Sequence, residues 1–162
     1  MVALIEGTKA PDFELQSLEG SQYSLKKALS KSDYVVLAFF KVSCPVCQLT
    51  LPYIERLHKA HPETPVWGIS QDDPQATKEF AQQYGLTFPL LLDESLSSTV
   101  AYDLTNVPTI FLVGRDGQIQ QTIVGFSKQD LENLNSRIAE TGTHKAGQLF
   151  LKSDDVPDFR PG

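Results

Sequence analysis

Six consecutive apolar residues, Val35 to Phe40, run through a short Lys41-Val42-Ser43 loop into Cys44-Pro45-Val46-Cys47. No other stretch narrows the fold as far. An unbroken run rich in Val and Phe suits a central strand covered on both faces. Pro45 stands where a first helical residue has no need of its N–H. Cys47 is three residues beyond Cys44, so both sulfurs fall in one helical turn. The pattern predicts strand, loop and helix, with both cysteines of the chain at the helix start.

That placement has a chemical consequence. The thiolate is the attacking form of cysteine, and an ordinary thiol is mostly protonated at neutral pH. The first N–H groups of a helix lack intrahelical partners and carry partial positive charge. Val46 and Cys47 can offer such groups to the Cys44 sulfur, whereas Pro45 cannot. The anion is therefore favoured at Cys44. Cys47, one turn deeper, is expected to be less exposed and less acidic. The asymmetry makes Cys44 the attacking thiol and Cys47 the resolving thiol of a reversible disulfide.

Two other readings fit a Cys-x-x-Cys pair. His58 and His61 follow, and with the cysteines they loosely match a zinc-finger pattern. Eleven helical residues separate Cys47 from His58 by about 16 Å along the axis, at about 1.5 Å per residue. A zinc ion needs every ligand within about 2.3 Å. A purely structural disulfide closes so short a loop that it removes little chain entropy. The expectation is a redox pair without metal or other cofactor.

At 162 residues the chain can bury a core without staples. Twenty acidic against 14 basic residues give a net charge of −6, and there is no basic run, which argues against a nucleic-acid partner. The apolar runs are too short to cross a membrane as helices. Met1 to Glu6 shows no secretory leader pattern, and two adjacent cysteines fit a reducing compartment. A cytoplasmic monomer is expected.

Along the chain, Phe13 and Leu15, then Tyr23 and Leu25, alternate around Glu19-Gly20-Ser21 and predict a hairpin. Ser24 is placed to cap a short helix through Leu29. The helix after Cys44 is expected to reach about Ala60. Leu51, Ile54 and Leu57 keep its apolar spacing through Pro52, which predicts a bend. Val66 to Ile69 reads as a strand. Asp73-Pro74 opens a helix that Gly85 closes. Phe88 to Leu92 predicts a strand, Ser95 to Tyr102 a short helix, and Thr109 to Val113 another strand. A turn at Gly114 to Gly117 returns Gln118 to Val124 antiparallel. Ser127 and Asp130 cap a last helix bearing Leu131, Leu134 and Ile138. Residues 1–141 then form one domain, and 142–162, with no clear period, a C-terminal extension that packs as loop or stays mobile. The order predicts an α/β fold, a mixed central sheet with helices on both faces.

On these residues the chain resembles thioredoxin-like proteins over roughly Gly7 to Ala139. The carriers are the Phe-Phe strand before Cys44-Pro45-Val46-Cys47, Pro52 five residues on, and Val107-Pro108-Thr109 before a strand. Ala10-Pro11-Asp12-Phe13-Glu14-Leu15, Gly68-Ile69-Ser70 and Phe88-Pro89-Leu90-Leu91-Leu92-Asp93 resemble the peroxiredoxin-like and membrane-anchored thioredoxin (redoxin) branch. The resemblance implies a thioredoxin-like fold with an N-terminal hairpin extension and thiol–disulfide exchange with dithiol- or disulfide-containing proteins or with small thiols. It also implies a reductant or oxidant that the residues do not identify. It further implies a cis Val107–Pro108 peptide facing the disulfide, with Val107, Pro108, Pro45 and Val46 in the substrate site. Read alone, Val107-Pro108 is a rigid loop before a strand.

Departures from that pattern matter. Thioredoxins carry a buried acid six residues before the first cysteine, where Ala38 stands here, and a Trp just before it, where Ser43 stands. Some membrane-anchored relatives carry a Glu at the position of Thr50. Thr50 or water is left as proton relay for Cys47. Lys41 is a candidate for tuning the local field, or a solvated loop charge. A thiol peroxidase of peroxiredoxin type is the alternative activity. Its Pro and Thr positions hold Leu37 and Lys41, and no Arg neighbours Val107-Pro108 in the sequence, so a peroxide leaving oxygen lacks its stabilising groups. A redox-inactive binding module is the alternative of another class.

Overall fold

The computed structural model describes residues 3–141 and 147–162. A hairpin of β1 (Glu14–Gln16) and β2 (Gln22–Ser24) leads to α1 (Leu25–Leu29). Next come β3 (Tyr34–Phe40), α2 (Pro45–Ala60), β4 (Val66–Ser70), α3 (Pro74–Tyr84), β5 (Leu90–Leu92) and α4 (Ser97–Ala101). The chain continues through β6 (Thr109–Gly114), β7 (Ile119–Val124), β8 (Phe126–Ser127), α5 (Lys128–Ala139) and β9 (Phe159–Arg160). The main sheet runs β5-β4-β3-β6-β7. β3, β4 and β5 are parallel, and β6 and β7 are antiparallel to their neighbours. This is the mixed sheet expected, and its central strand is the apolar run of the sequence.

Strand alternation divides the core. Val36, Ala38 and Phe40 face Leu51, Ile54 and Leu57 of α2, Phe80 of α3 and Leu131, Leu134 and Ile138 of α5. Val35, Leu37 and Phe39 face Leu25 and Leu29 of α1, with Trp67, Phe111 and Tyr102. Both sides of β3 are buried, which is why the run carries no polar residue. Helix starts follow their caps. Ser24 accepts from the Lys27 N–H, Asp73 from that of Ala76 and Ser127 from that of Asp130, each worth about 1 kcal/mol. α2 continues through Pro52 as one helix.

Two elements are shorter than the sequence predicts by two residues or more. The strand expected over Phe88–Leu92 spans Leu90–Leu92, because Pro89 has no N–H to donate; its carbonyl still accepts from Gly68 at 2.9 Å. The helix expected from Ser95 begins at Ser97. Leu96 takes a left-handed φ of 63°, and the buried Asp93 carboxylate receives the N–H groups of Ser98 and Thr99.

Of the extension expected over 142–162, residues 142–146 lie outside those described. The rest folds back. Leu149 and Phe150 are buried, and the Glu132 carboxylate accepts both of their N–H groups, at 2.8 and 3.2 Å. Arg56 of α2 donates to the Leu149 carbonyl and to Asp154. β9 then pairs antiparallel with β8.

Candidate redox site

Two segments meet beyond the carboxyl end of β3, where an open α/β sheet places its sites. The first is the start of α2. Cys44 is its N-cap, in extended backbone, with Pro45 at the first helical position. The Cys44 sulfur accepts the Cys47 N–H at 3.3 Å. Of the two N–H groups the sequence offers, the structure uses that of Cys47. Cys44 is half-buried and Cys47 wholly buried, both as free thiols. Burial, above all, pushes the Cys47 thiol up. The Cys44 sulfur and the Asp72 carboxylate push the same way, and the backbone N–H of Lys41 pulls it back.

The second segment is Asn106 to Thr109. Its Val107–Pro108 peptide is cis. The Cys44 thiol donates to the Val107 carbonyl at 3.5 Å, across 63 residues of chain. Two bonds fix the segment: Thr109 Oγ1 donates to the Asn106 carbonyl at 2.8 Å, and the Gly125 N–H to that of Pro108 at 2.8 Å. Cys44, Cys47, Val46 and Val107 belong to one apolar cluster. Pro45 is exposed at its rim, and Pro108 is buried.

The remaining candidates separate. The Lys41 side chain is exposed, and its backbone carbonyl accepts the Cys44 N–H at 3.2 Å. Thr50 is buried, and its hydroxyl donates to the Val46 carbonyl at 2.7 Å, one turn back. That proton is committed to the helix rather than to Cys47. Ala38 is sealed in the core. His61 sits at the far end of α2, where Nε2 pairs with Asn135 Oδ1 at 2.7 Å.

Asp72 was not singled out from the sequence. Its carboxylate accepts the Val42 N–H at 2.8 Å, while Gln48 Nε2 donates to the Val42 carbonyl at 3.0 Å. The peptide ahead of Cys44 is thus clamped from the loop that follows β4 and from α2. One signal existed: Asp72-Asp73-Pro74 offers two acids where a helix start needs one, and Asp73 is the cap.

The chain matches the AhpC/TSA family over residues 7–122. It is 31% identical to the thiol-disulfide oxidoreductase ResA of Geobacillus kaustophilus strain HTA426, over 80% of this chain and 76% of that protein. Among solved structures it is similar to a Chlorobium tepidum protein assigned as the thiol:disulfide interchange protein DsbE, with TM-score 0.75 and 26% identity, over 85% of this chain and 98% of that one. StoA from Bacillus subtilis superposes with TM-score 0.64 and 26% identity, over 77% of this chain and 94% of that one. The two neighbouring thiols at a helix start, opposite a cis-proline segment, therefore stand in a known setting: the chain belongs to the AhpC/TSA family, in its redoxin branch of thiol–disulfide oxidoreductases.

Proposed function

We propose that Cys44 is the attacking thiol and Cys47 the resolving thiol of this thiol–disulfide oxidoreductase. The observation that carries the assignment is the Cys44 sulfur, capped by the Cys47 N–H and open beside Val107, with Cys47 sealed behind it. The Cys44 thiolate attacks one sulfur of a substrate disulfide, and the other substrate sulfur leaves as a thiolate. Cys47 loses its proton and attacks Cys44. The second substrate thiolate departs; the substrate has gained two electrons, and the Cys44–Cys47 pair has lost them and is now a disulfide. An external dithiol then attacks Cys44 and frees Cys47, and its second thiol displaces Cys44, so that the dithiol leaves as a disulfide and both protein thiols are restored. A substrate segment lying along Val107, with Pro45, Val46 and Pro108 around it, pairs as an added strand would.

Protein disulfides or dithiols are the proposed substrates, and a monomer in a reducing, cytoplasmic setting is part of the proposal. Leu37 in the core and Lys41 in solvent supply no hydroxyl for a peroxide. The fold does return the Arg160 backbone to Gly125, next to Pro108, a proximity hidden in the linear sequence. The Arg160 side chain is exposed.

The test is a Cys47→Ser protein in lysate free of reductant. Covalent partners that are released by reductant and absent from Cys44→Ser support the assignment. Their absence from both proteins overturns it. Titration against glutathione places the pair between reductant and oxidant, on a scale of about −270 to −120 mV.

A further inference from the structure

The tail that returns after α5 does not stop at the core. Its root is firmly held, with Leu149 and Phe150 buried, Arg56 on Asp154 and Val156 against the main apolar cluster. Its tip is held lightly. β9 is two residues long, the Lys128 N–H donates to the Asp158 carbonyl at 2.9 Å, and residues 158–162 are exposed. Beyond β9 the tip reaches the Asn106–Val107 edge of the redox site. The Asn106 side-chain amide donates to the Gly162 carbonyl at 3.0 Å. A methyl group on Gly162 would lie 2.8 Å from the Val107 oxygen. That is the same oxygen that receives the Cys44 thiol at 3.5 Å. One carbonyl therefore has the reactive sulfur and the tail as neighbours.

Gly125 shows how closely the tip is seated. Its φ is +79°, and a methyl there would press on the Arg160 carbonyl and stand 2.8 Å from Gly162 N. The same residue donates to the Pro108 carbonyl at 2.8 Å. The tail backbone, Gly125 and the cis-proline segment thus form three contiguous layers.

We propose that Arg160–Gly162 is a specificity element that covers the Val107 edge beside Cys44. The proposal rests on the site assignment above. A polypeptide that must lie along Val107 while its disulfide reaches Cys44 competes with the tip and has to displace it. A small disulfide needs only the sulfur and reacts with the tip in place. The light hold on the tip and the firm hold on its root permit displacement without unfolding.

The experiment is a single-turnover measurement with pre-reduced full-length protein. It is mixed in separate runs with insulin, a protein disulfide, and with DTNB, a small aromatic disulfide. Two variants loosen the tip: Asn106→Ala removes the amide that holds Gly162, and Gly162→Val drives a side chain against the Val107 oxygen. The insulin rate constant is expected to rise about 2- to 10-fold, the population shift that loss of one hydrogen bond allows, while the DTNB constant stays unchanged. A fall in the insulin constant, or equal changes in both constants, or an unchanged ratio in both variants would overturn the specificity role alone. Absence of any wild-type DTNB reaction would sink the site assignment and this proposal with it.

Discussion

The redox site has two walls, and different bonds hold them. The α2 wall is local. Its key contact, Cys47 N–H to Cys44, spans three residues, and the helix behind it is pinned by the fully buried Leu51, Ile54 and Leu57. The facing wall is assembled from afar: Val107 meets Cys44 across 63 residues, and Gly162 meets Asn106 across 56. Helical geometry sets the first wall wherever the helix forms. The second exists only when the β6–β7 region and the tail are in place. On the assignments proposed above, reactivity rests on the wall that is held locally and selection on the wall that is assembled from afar.

The largest test of that division is Cys44→Ser. It should bring disulfide exchange down to the uncatalysed background in a single-turnover DTNB assay, with the fold intact by circular dichroism. Next is thiol labelling. Iodoacetamide at pH 8 should modify Cys44, with Cys47 at least about 100-fold slower until denaturant is added, read by peptide mass spectrometry. The pH dependence follows the same asymmetry. Cys47 in the unfolded chain ionises near its ordinary value of 9.0, and in the folded protein only far above it. Folding therefore keeps a proton that the unfolded chain releases, and urea midpoints should fall as pH rises past 9.0.

Within the α2 wall, Leu51→Ala should cost about 2–5 kcal/mol in urea unfolding. Asp72→Ala, which orphans the Val42 N–H, should cost about 1–3 kcal/mol and make Cys44 labelling less selective. The smallest effect belongs to the tail root. The Arg56 hydrogen bond, first of all, holds the Asp154 carboxyl below its ordinary value of 3.8. Its contribution is therefore present above 3.8 and lost as pH falls through the lower folded value. Hydrogen exchange at Leu151, whose N–H donates to Asp154 at 2.7 Å, should speed up there before the core does.

What could be read from the residues follows the same line between near and far. The Val35–Phe40 strand, the Cys44 cap and the helix caps at Ser24, Asp73 and Ser127 are local signals, and each stands where the sequence places it. The cis Val107–Pro108 peptide came from family resemblance, since three residues do not carry it. Asp72 on Val42, and the tail on Asn106 and Val107, left almost no trace. Their partners lie 30 and 56 residues away, and no periodicity encodes a contact between two loops. Pro89 and Leu96 trimmed β5 and α4 through one missing donor and one left-handed residue, details that apolar patterning does not register.

Cys47 lies wholly behind Cys44, and this has a kinetic consequence. On the proposed assignment the closed pair presents a single sulfur to any incoming thiol. Electron donor and electron acceptor must then take turns at one doorway and never occupy the protein together. Varying one against the other should give parallel double-reciprocal lines, the pattern of a ping-pong cycle. Excess of either should inhibit by crowding the entrance the other needs.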